Sequence, residues 1–62
     1  MDYLPKNPDI LVSSINMLLR DEEFDSLESL CEHFDTEPDE IQSTLLGAGY
    51  VYNELQKQFR PI

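Results

Sequence analysis

Residues 26–49, SLESLCEHFDTEPDEIQSTLLGAG, predict two short helices joined by a tight turn. The first carries an apolar residue at i, i+3, i+4 and i+7, the spacing of one helical face: Leu27, Leu30, Cys31 and Phe34. Ser26 can cap this helix, and Thr36 with Asp39 three residues later resembles a capping box for the next one. That next helix would face inward with Ile41, Leu45 and Leu46 and end at Gly47 or Gly49. We therefore expect helices at about 26–34 and 37–46.

The flanking segments predict a helix before this pair and a hairpin after it. Asn7 is a good cap with Pro8 at the first helical position, and an apolar face follows to about residue 20: Leu11, Ile15, Leu18 and Leu19. Residues 1–6 should form an extended lead-in. After Gly49 the apolar period becomes two, which predicts a small hairpin at about 50–60 with Tyr50 or Tyr52 and Phe59 packed on the helices. The expected fold is mainly α: one compact, three-helix, helix-turn-helix-like domain over residues 1–62 with a C-terminal β-hairpin.

The charge conflicts with the nucleic-acid-binding role that this shape suggests. The chain of 62 residues has a net charge of −9, and ten acidic residues but no Lys or Arg lie between Asp21 and Gln56. The positions of the third helix that would enter a groove are Asp39, Glu40, Gln42, Ser43 and Thr44. Since DNA binders neutralise phosphates with basic side chains, we expect no direct binding of nucleic acid. Lys57 and Arg60 could still form a small basic edge on the hairpin.

The composition also suggests a compartment. A single cysteine cannot form an internal disulfide, and 40% hydrophobic residues favour a folded domain over a disordered acidic tail. The first residues resemble no signal peptide, and no segment has the roughly 20 apolar residues that cross a bilayer. We expect a cytoplasmic protein without membrane association.

The sequence contains no convincing catalytic or ligand-binding motif. Cys31 and His33 stand two positions apart on a helix and point in different directions, so we expect a buried thiol and a surface imidazole near Glu32, Glu37 and Glu40. An EF-hand match starting at Asp21 fails at position six, which is Ser26 where glycine is required. We expect no enzyme activity, metal, cofactor or small-molecule substrate.

Three segments of the chain resemble a known family: MDYLPKNPDILVSSINMLLRD at 1–21, LESLCEHFD at 27–35 and GYVYNELQKQF at 49–59. They are similar to the bacterial domain of unknown function 4250. The resemblance covers most of the chain and implies a small bacterial cytosolic protein. It transfers no catalytic or binding residue onto these positions.

Two functions remain open. The first is a protein-interaction or regulatory domain that associates with itself or with a basic protein, using apolar side chains left outside the core: Tyr3, Leu4, Val12, Met17, Phe24 and Tyr52. The second is a nucleic-acid mimic that occupies the basic groove of a DNA-binding protein through its carboxylates: Asp21, Glu22, Glu23, Asp25, Glu28, Glu32, Asp39 and Glu40. High salt should weaken the second complex steeply and leave an apolar interface largely intact.

Overall fold

A computed structural model describes residues 3–62 and contains three helices followed by a two-stranded antiparallel sheet. The elements are α1 (Pro8–Arg20), α2 (Leu27–His33), α3 (Pro38–Gly47), β1 (Tyr50–Asn53) and β2 (Gln58–Pro61). This order confirms the predicted fold class, and each predicted helix boundary lies within one residue of the observed one. Met1 and Asp2, the start of the expected lead-in, lie outside the described residues.

The first two helices begin at the predicted caps. The Asn7 side chain accepts hydrogen bonds from the backbone N–H groups of Asp9 (2.9 Å) and Ile10 (3.4 Å). The Ser26 hydroxyl accepts one from the N–H of Ser29 at 3.1 Å. Both caps satisfy donors that the first helical turn leaves without a partner.

The predicted cap of α3 at Thr36 is wrong. Glu37 is the N-cap, and its side chain makes no capping hydrogen bond. The N–H of Thr36 instead donates to the carbonyl of Cys31 at 2.9 Å, so this residue closes the end of α2. Pro38 restricts the residue before it to extended backbone, so Glu37 takes the N-cap position and α3 begins at Pro38.

The core lies between the three helices and one face of the hairpin. Its buried apolar residues are Leu11, Val12, Ile15, Leu19, Leu27, Leu30, Cys31, Ile41, Leu45 and Phe59. Three expectations need correction: Val12 is buried and not left over, Leu18 is only half-buried, and Leu46 is 56% exposed. Leu46 follows the buried Leu45 directly but points about 100° away from it around the helix axis, and lies outside the core.

The hairpin predicted at about 50–60 is confirmed, and its second strand extends one residue further, to Pro61. Tyr50 pairs with Pro61 and Tyr52 pairs with Phe59 across the sheet. The rings of Tyr52 and Phe59 lie 5.0 Å apart on the face that packs against the helices. Since an isolated hairpin is marginal in water, this aromatic face is what keeps the strands folded.

Asn16 of α1 attaches β2 to the helices. Its side-chain amide accepts a hydrogen bond from the N–H of Phe59 at 2.7 Å and donates one to the carbonyl of Phe59 at 3.0 Å. The Gln58 side chain also donates to the backbone carbonyl of Asn16 at 3.0 Å. One amide side chain thus satisfies both backbone groups of Phe59, as a third strand would.

Candidate partner-binding surfaces

The largest group of carboxylates surrounds a depression between α2 and α3, which we call the acidic pocket. It has a volume of about 390 Å³ and five acidic residues in its wall: Glu28, Glu32, Asp35, Glu37 and Glu40. The left-handed backbone at Asp35, with φ of 56°, reverses the chain after α2 and brings the two helices to this wall. All five residues are solvent-exposed, and none forms an ion pair within residues 3–62. Glu28, Glu32 and Glu40 were predicted as binding residues, whereas Asp35 and Glu37 were not.

The acidic loop at residues 21–25 lies apart from this pocket and faces basic side chains. Glu22 and Asp25 line a depression of about 660 Å³ together with Arg20, Lys57 and Arg60. Within residues 3–62 the one ion pair joins the Arg20 Nε to the Asp21 Oδ1 at 3.5 Å, and both side chains are exposed. The basic edge predicted on the hairpin therefore lies opposite the loop, and the charges of this region are partly balanced. Glu23 is exposed and lines none of these depressions.

A third depression, which we call the edge groove, runs between α3 and β1. Its volume is about 280 Å³, and its wall combines one stripe of the helix with one strand: Asp39, Gln42, Ser43, Leu46, Tyr50, Val51 and Tyr52. Leu46 is 56% exposed and Val51 is 48% exposed, so the groove offers apolar contact to a partner. Asp39, predicted to act with Glu40, thus lies on a different surface from it.

The predicted aromatic binding residues do not form one patch. Tyr3 is 77% exposed, whereas Phe24 and Tyr52 are half-buried against the core. The Phe24 ring lies 5.2 Å from the His33 ring, which in turn meets Phe34 edge-on at 4.9 Å. The predicted surface position of His33 is confirmed, and its exposed imidazole packs beside these two aromatic rings.

Two titratable side chains are perturbed by their surroundings. Burial raises the pKa of the Cys31 thiol to about 11, and the negative charges of Glu28 and Glu37 add to the effect. Burial also raises the pKa of the Tyr52 phenol, with further contributions from Glu28 and Glu54. A thiol with a raised pKa and no exposed surface is a poor nucleophile, so the predicted structural role of Cys31 agrees with its environment.

The described part of the chain presents no group of three or more His, Cys, Asp or Glu residues arranged to hold a metal ion. None of the helices within residues 3–62 is long and apolar enough to cross a membrane.

The structure therefore divides most of the predicted binding residues among three surfaces, and Tyr3 and Glu23 line none of them. Sequence reasoning missed the participation of Asp35 and Glu37 in the acidic pocket and of Leu46 and Val51 in the edge groove. It also assigned no role to Asn16. An amide in mid-helix, next to the apolar Ile15, was the available signal, because such side chains are unfavourable there without a partner.

Comparison with known proteins gives one result. A family model described as "Domain of unknown function (DUF4250)" matches residues 5–59. No curated protein and no solved structure matches the chain.

Proposed function

Because the chain belongs to the domain of unknown function 4250 family, whose description states no activity, we propose its function from its surface: it binds a basic segment of another protein. The acidic pocket would be the contact surface. The observation that carries this proposal is the set of five exposed carboxylates around one depression, without an ion pair to any basic side chain of residues 3–62.

The attraction between the acidic pocket and a basic segment is electrostatic. Carboxylates on one surface repel each other, and a Lys-rich or Arg-rich segment placed among them relieves that repulsion. The chain's net charge of −9 adds a long-range attraction that speeds the encounter with a cationic partner. The acidic loop offers less, because Arg20, Lys57 and Arg60 already lie beside it.

Self-association and nucleic-acid mimicry receive less support. Self-association through apolar side chains was motivated partly by Val12, Phe24 and Tyr52, and all three pack against the domain's own core. A nucleic-acid mimic would present its carboxylates as one surface, whereas Glu40 and Asp39 line separate depressions. A basic protein segment that enters one depression does not need such a continuous surface.

The test is a calorimetric titration of the full chain with a peptide of alternating Lys and Gly. We expect binding that weakens about tenfold when NaCl rises from about 0.05 M to about 0.5 M, because the Debye length falls from roughly 14 Å to about 4 Å. The pocket variant Glu32→Gln/Glu37→Gln/Glu40→Gln should weaken binding about tenfold at low salt. These side chains are exposed, so the variant should fold normally.

The matched control carries the same change in net charge elsewhere. Glu22→Gln/Glu23→Gln/Asp25→Asn removes three negative charges from the loop and should change the affinity by less than about threefold. Equal losses in the two triple variants would show attraction to net charge without a site, and would overturn the proposal. Affinity capture from the native cell extract with the same pair of variants would then identify the partner.

A further inference from the structure

The free edge of β1 points away from β2, toward α3. The N–H of Ile62 donates to the carbonyl of Gly49 at 2.9 Å, while the Gly49 N–H donates to the Leu46 carbonyl, so Gly49 and Ile62 stand at a hydrogen-bonding position of the antiparallel ladder with one of its two bonds formed. Such pairs alternate with pairs that do not exchange hydrogen bonds. Tyr50 and Tyr52 belong to the second kind, and their N–H and C=O groups therefore point away from β2.

The two edges of this small sheet differ in their protection. On β2 the Asn16 amide occupies both backbone groups of Phe59, and Pro61 has no N–H to offer. On β1 no hydrogen-bond partner for the outward groups of Tyr50 and Tyr52 is present among residues 3–62. An open strand edge is a template for another extended chain.

The edge groove has the geometry that strand addition requires. Asp39, Ser43 and Leu46 form a stripe on α3, which packs against β1 across the Gly49 turn. From Asp39 to Leu46 this stripe measures roughly 10 Å at 1.5 Å per residue, the length of about three residues of a strand. An extended segment could pair with Tyr50 and Tyr52 while its side chains on one face contact α3.

The charges and apolar side chains of the groove indicate the occupant. Leu46 and Val51 offer apolar contact, and Asp39 lies about two helical turns from Leu46 on the α3 wall. Glu28 and Glu54 add negative charge near the Tyr52 phenol, and no Lys or Arg of residues 3–62 lines the groove. A second copy of this chain would bring its own net charge of −9 to the contact and be repelled, so a cationic segment fits the groove better.

We propose that the edge groove binds an extended segment of a partner protein by strand addition to β1, with an apolar side chain against Leu46 and a Lys or Arg beside Asp39. The occupant pairs its backbone with Tyr50 and Tyr52. This inference rests on the proposed function and deepens it, because it names a second surface and the conformation of the bound segment.

The test uses the ¹⁵N-labelled full chain and the peptide Lys-Thr-Val-Thr-Arg-Thr-Val-Thr-Lys, acetylated and amidated. Its central Val-Thr-Arg-Thr-Val reads alike in both directions, so it fits parallel or antiparallel addition. We expect the largest chemical-shift changes at the amides of Tyr50, Tyr52 and the α3 stripe. Bound peptide should also slow hydrogen exchange at the two tyrosine amides.

Two N-methylated isomers of the peptide test backbone pairing without altering the protein. One carries methyl groups on the amides of the two Val residues, and the other carries them on the amides of the two Thr residues that flank Arg. Since alternate amides of a strand point to opposite edges, each isomer blocks one edge. Strand addition predicts that one isomer binds like the parent and the other loses at least about tenfold in affinity, which corresponds to about 1.4 kcal/mol.

A pair of protein variants tests the groove wall. Leu46→Lys places a positive charge in the groove at a residue already 56% exposed, and should weaken binding about tenfold. Leu55→Lys makes the same change at a residue that is 97% exposed and outside the groove, and should leave affinity within about twofold.

The outcomes separate this inference from the proposed function. Equal binding of both methylated isomers, or equal effects of the two lysine variants, would overturn strand addition. Shifts confined to the acidic pocket would also overturn it while leaving the proposed function supported. Absence of any binding by this peptide, with normal binding of the Lys-Gly peptide, would likewise exclude strand addition and leave the proposed function standing.

Discussion

Replacement of Asn16 by alanine should destabilise the domain by about 1.5–2 kcal/mol. The change removes both hydrogen bonds to Phe59 and leaves a partly buried N–H and C=O without partners. Each such group costs about 1–3 kcal/mol when buried, and partial access of water places both near the lower value. Alanine recovers roughly 0.5 kcal/mol through its helix propensity.

This loss would be large for so small a domain. At about 0.05–0.15 kcal/mol per residue, 62 residues correspond to a total stability of roughly 3–9 kcal/mol. Thermal and urea unfolding followed by circular dichroism would measure it, with an expected fall in Tm of about 6–15 °C. Hydrogen exchange should show that the Phe59 amide loses protection in particular, since its acceptor is gone.

The control is Ser13→Ala, an exposed position on the same helix. It changes helix propensity by a similar amount without touching β2, and should leave stability within about 0.5 kcal/mol or raise it slightly. If Asn16→Ala unfolds within about 0.5 kcal/mol of the parent and Phe59 remains protected, then the amide does not anchor the hairpin and the reasoning fails.

Three further predictions concern backbone conformation and ionisation. Gly49→Ala should destabilise the domain by about 1–2 kcal/mol because Gly49 has a φ of 94°. Gly47→Ala within α3 should stabilise the domain by up to about 1 kcal/mol. If the two variants shift the urea midpoint in the same direction from that of the parent, this pair of predictions is contradicted. Glu22→Gly should stabilise the domain by about 0.5–1 kcal/mol, because Glu22 has a φ of 59° just after the end of α1. Glu22→Gln removes the same charge but keeps the backbone strain, so it should not stabilise the domain. The Cys31 thiol ionises more readily when unfolded, at its ordinary pKa of 9.0, than when folded at about 11, so its contribution to stability is present below pH 9.0 and is lost between these values. The fall in the urea midpoint between pH 8 and about pH 10.5 should therefore be smaller in Cys31→Ala than in the parent. Tyr52, whose pKa is also raised, should account for a remaining fall in the variant.

The local features of the fold were predictable because their signals lie within a few residues of one another. Asn7 and Ser26 cap the helices that follow them, and the stripe from Leu27 to Phe34 faces the core as its spacing indicates. The prediction of a cap at Thr36 was wrong because Thr36 closes the end of α2, where its N–H donates to the Cys31 carbonyl, and the N-cap of α3 is Glu37. The family could also be named from sequence segments alone, and the family model confirms it.

The candidate site was less predictable, because a surface is made by elements that are distant in sequence. Acidic residues could be counted, but only the packing of α2 against α3 shows that Glu32 and Glu40 share a pocket while Asp39 belongs to another groove. The same holds for Leu46. Its apolar character predicted burial, but the structure places it on the wall of the edge groove beside β1.

Helix periods, caps and net charge are properties of neighbouring residues, so the chain's own order of amino acids determines the three helices, the hairpin and the acidic character. Which face meets which neighbour depends on how those elements dock. Asn16 and Phe59 are 43 positions apart, and no local pattern relates an amide on a helix to the free edge of a strand. Only the tertiary structure decides that one edge of the sheet is closed by a side chain and the other is open beside α3.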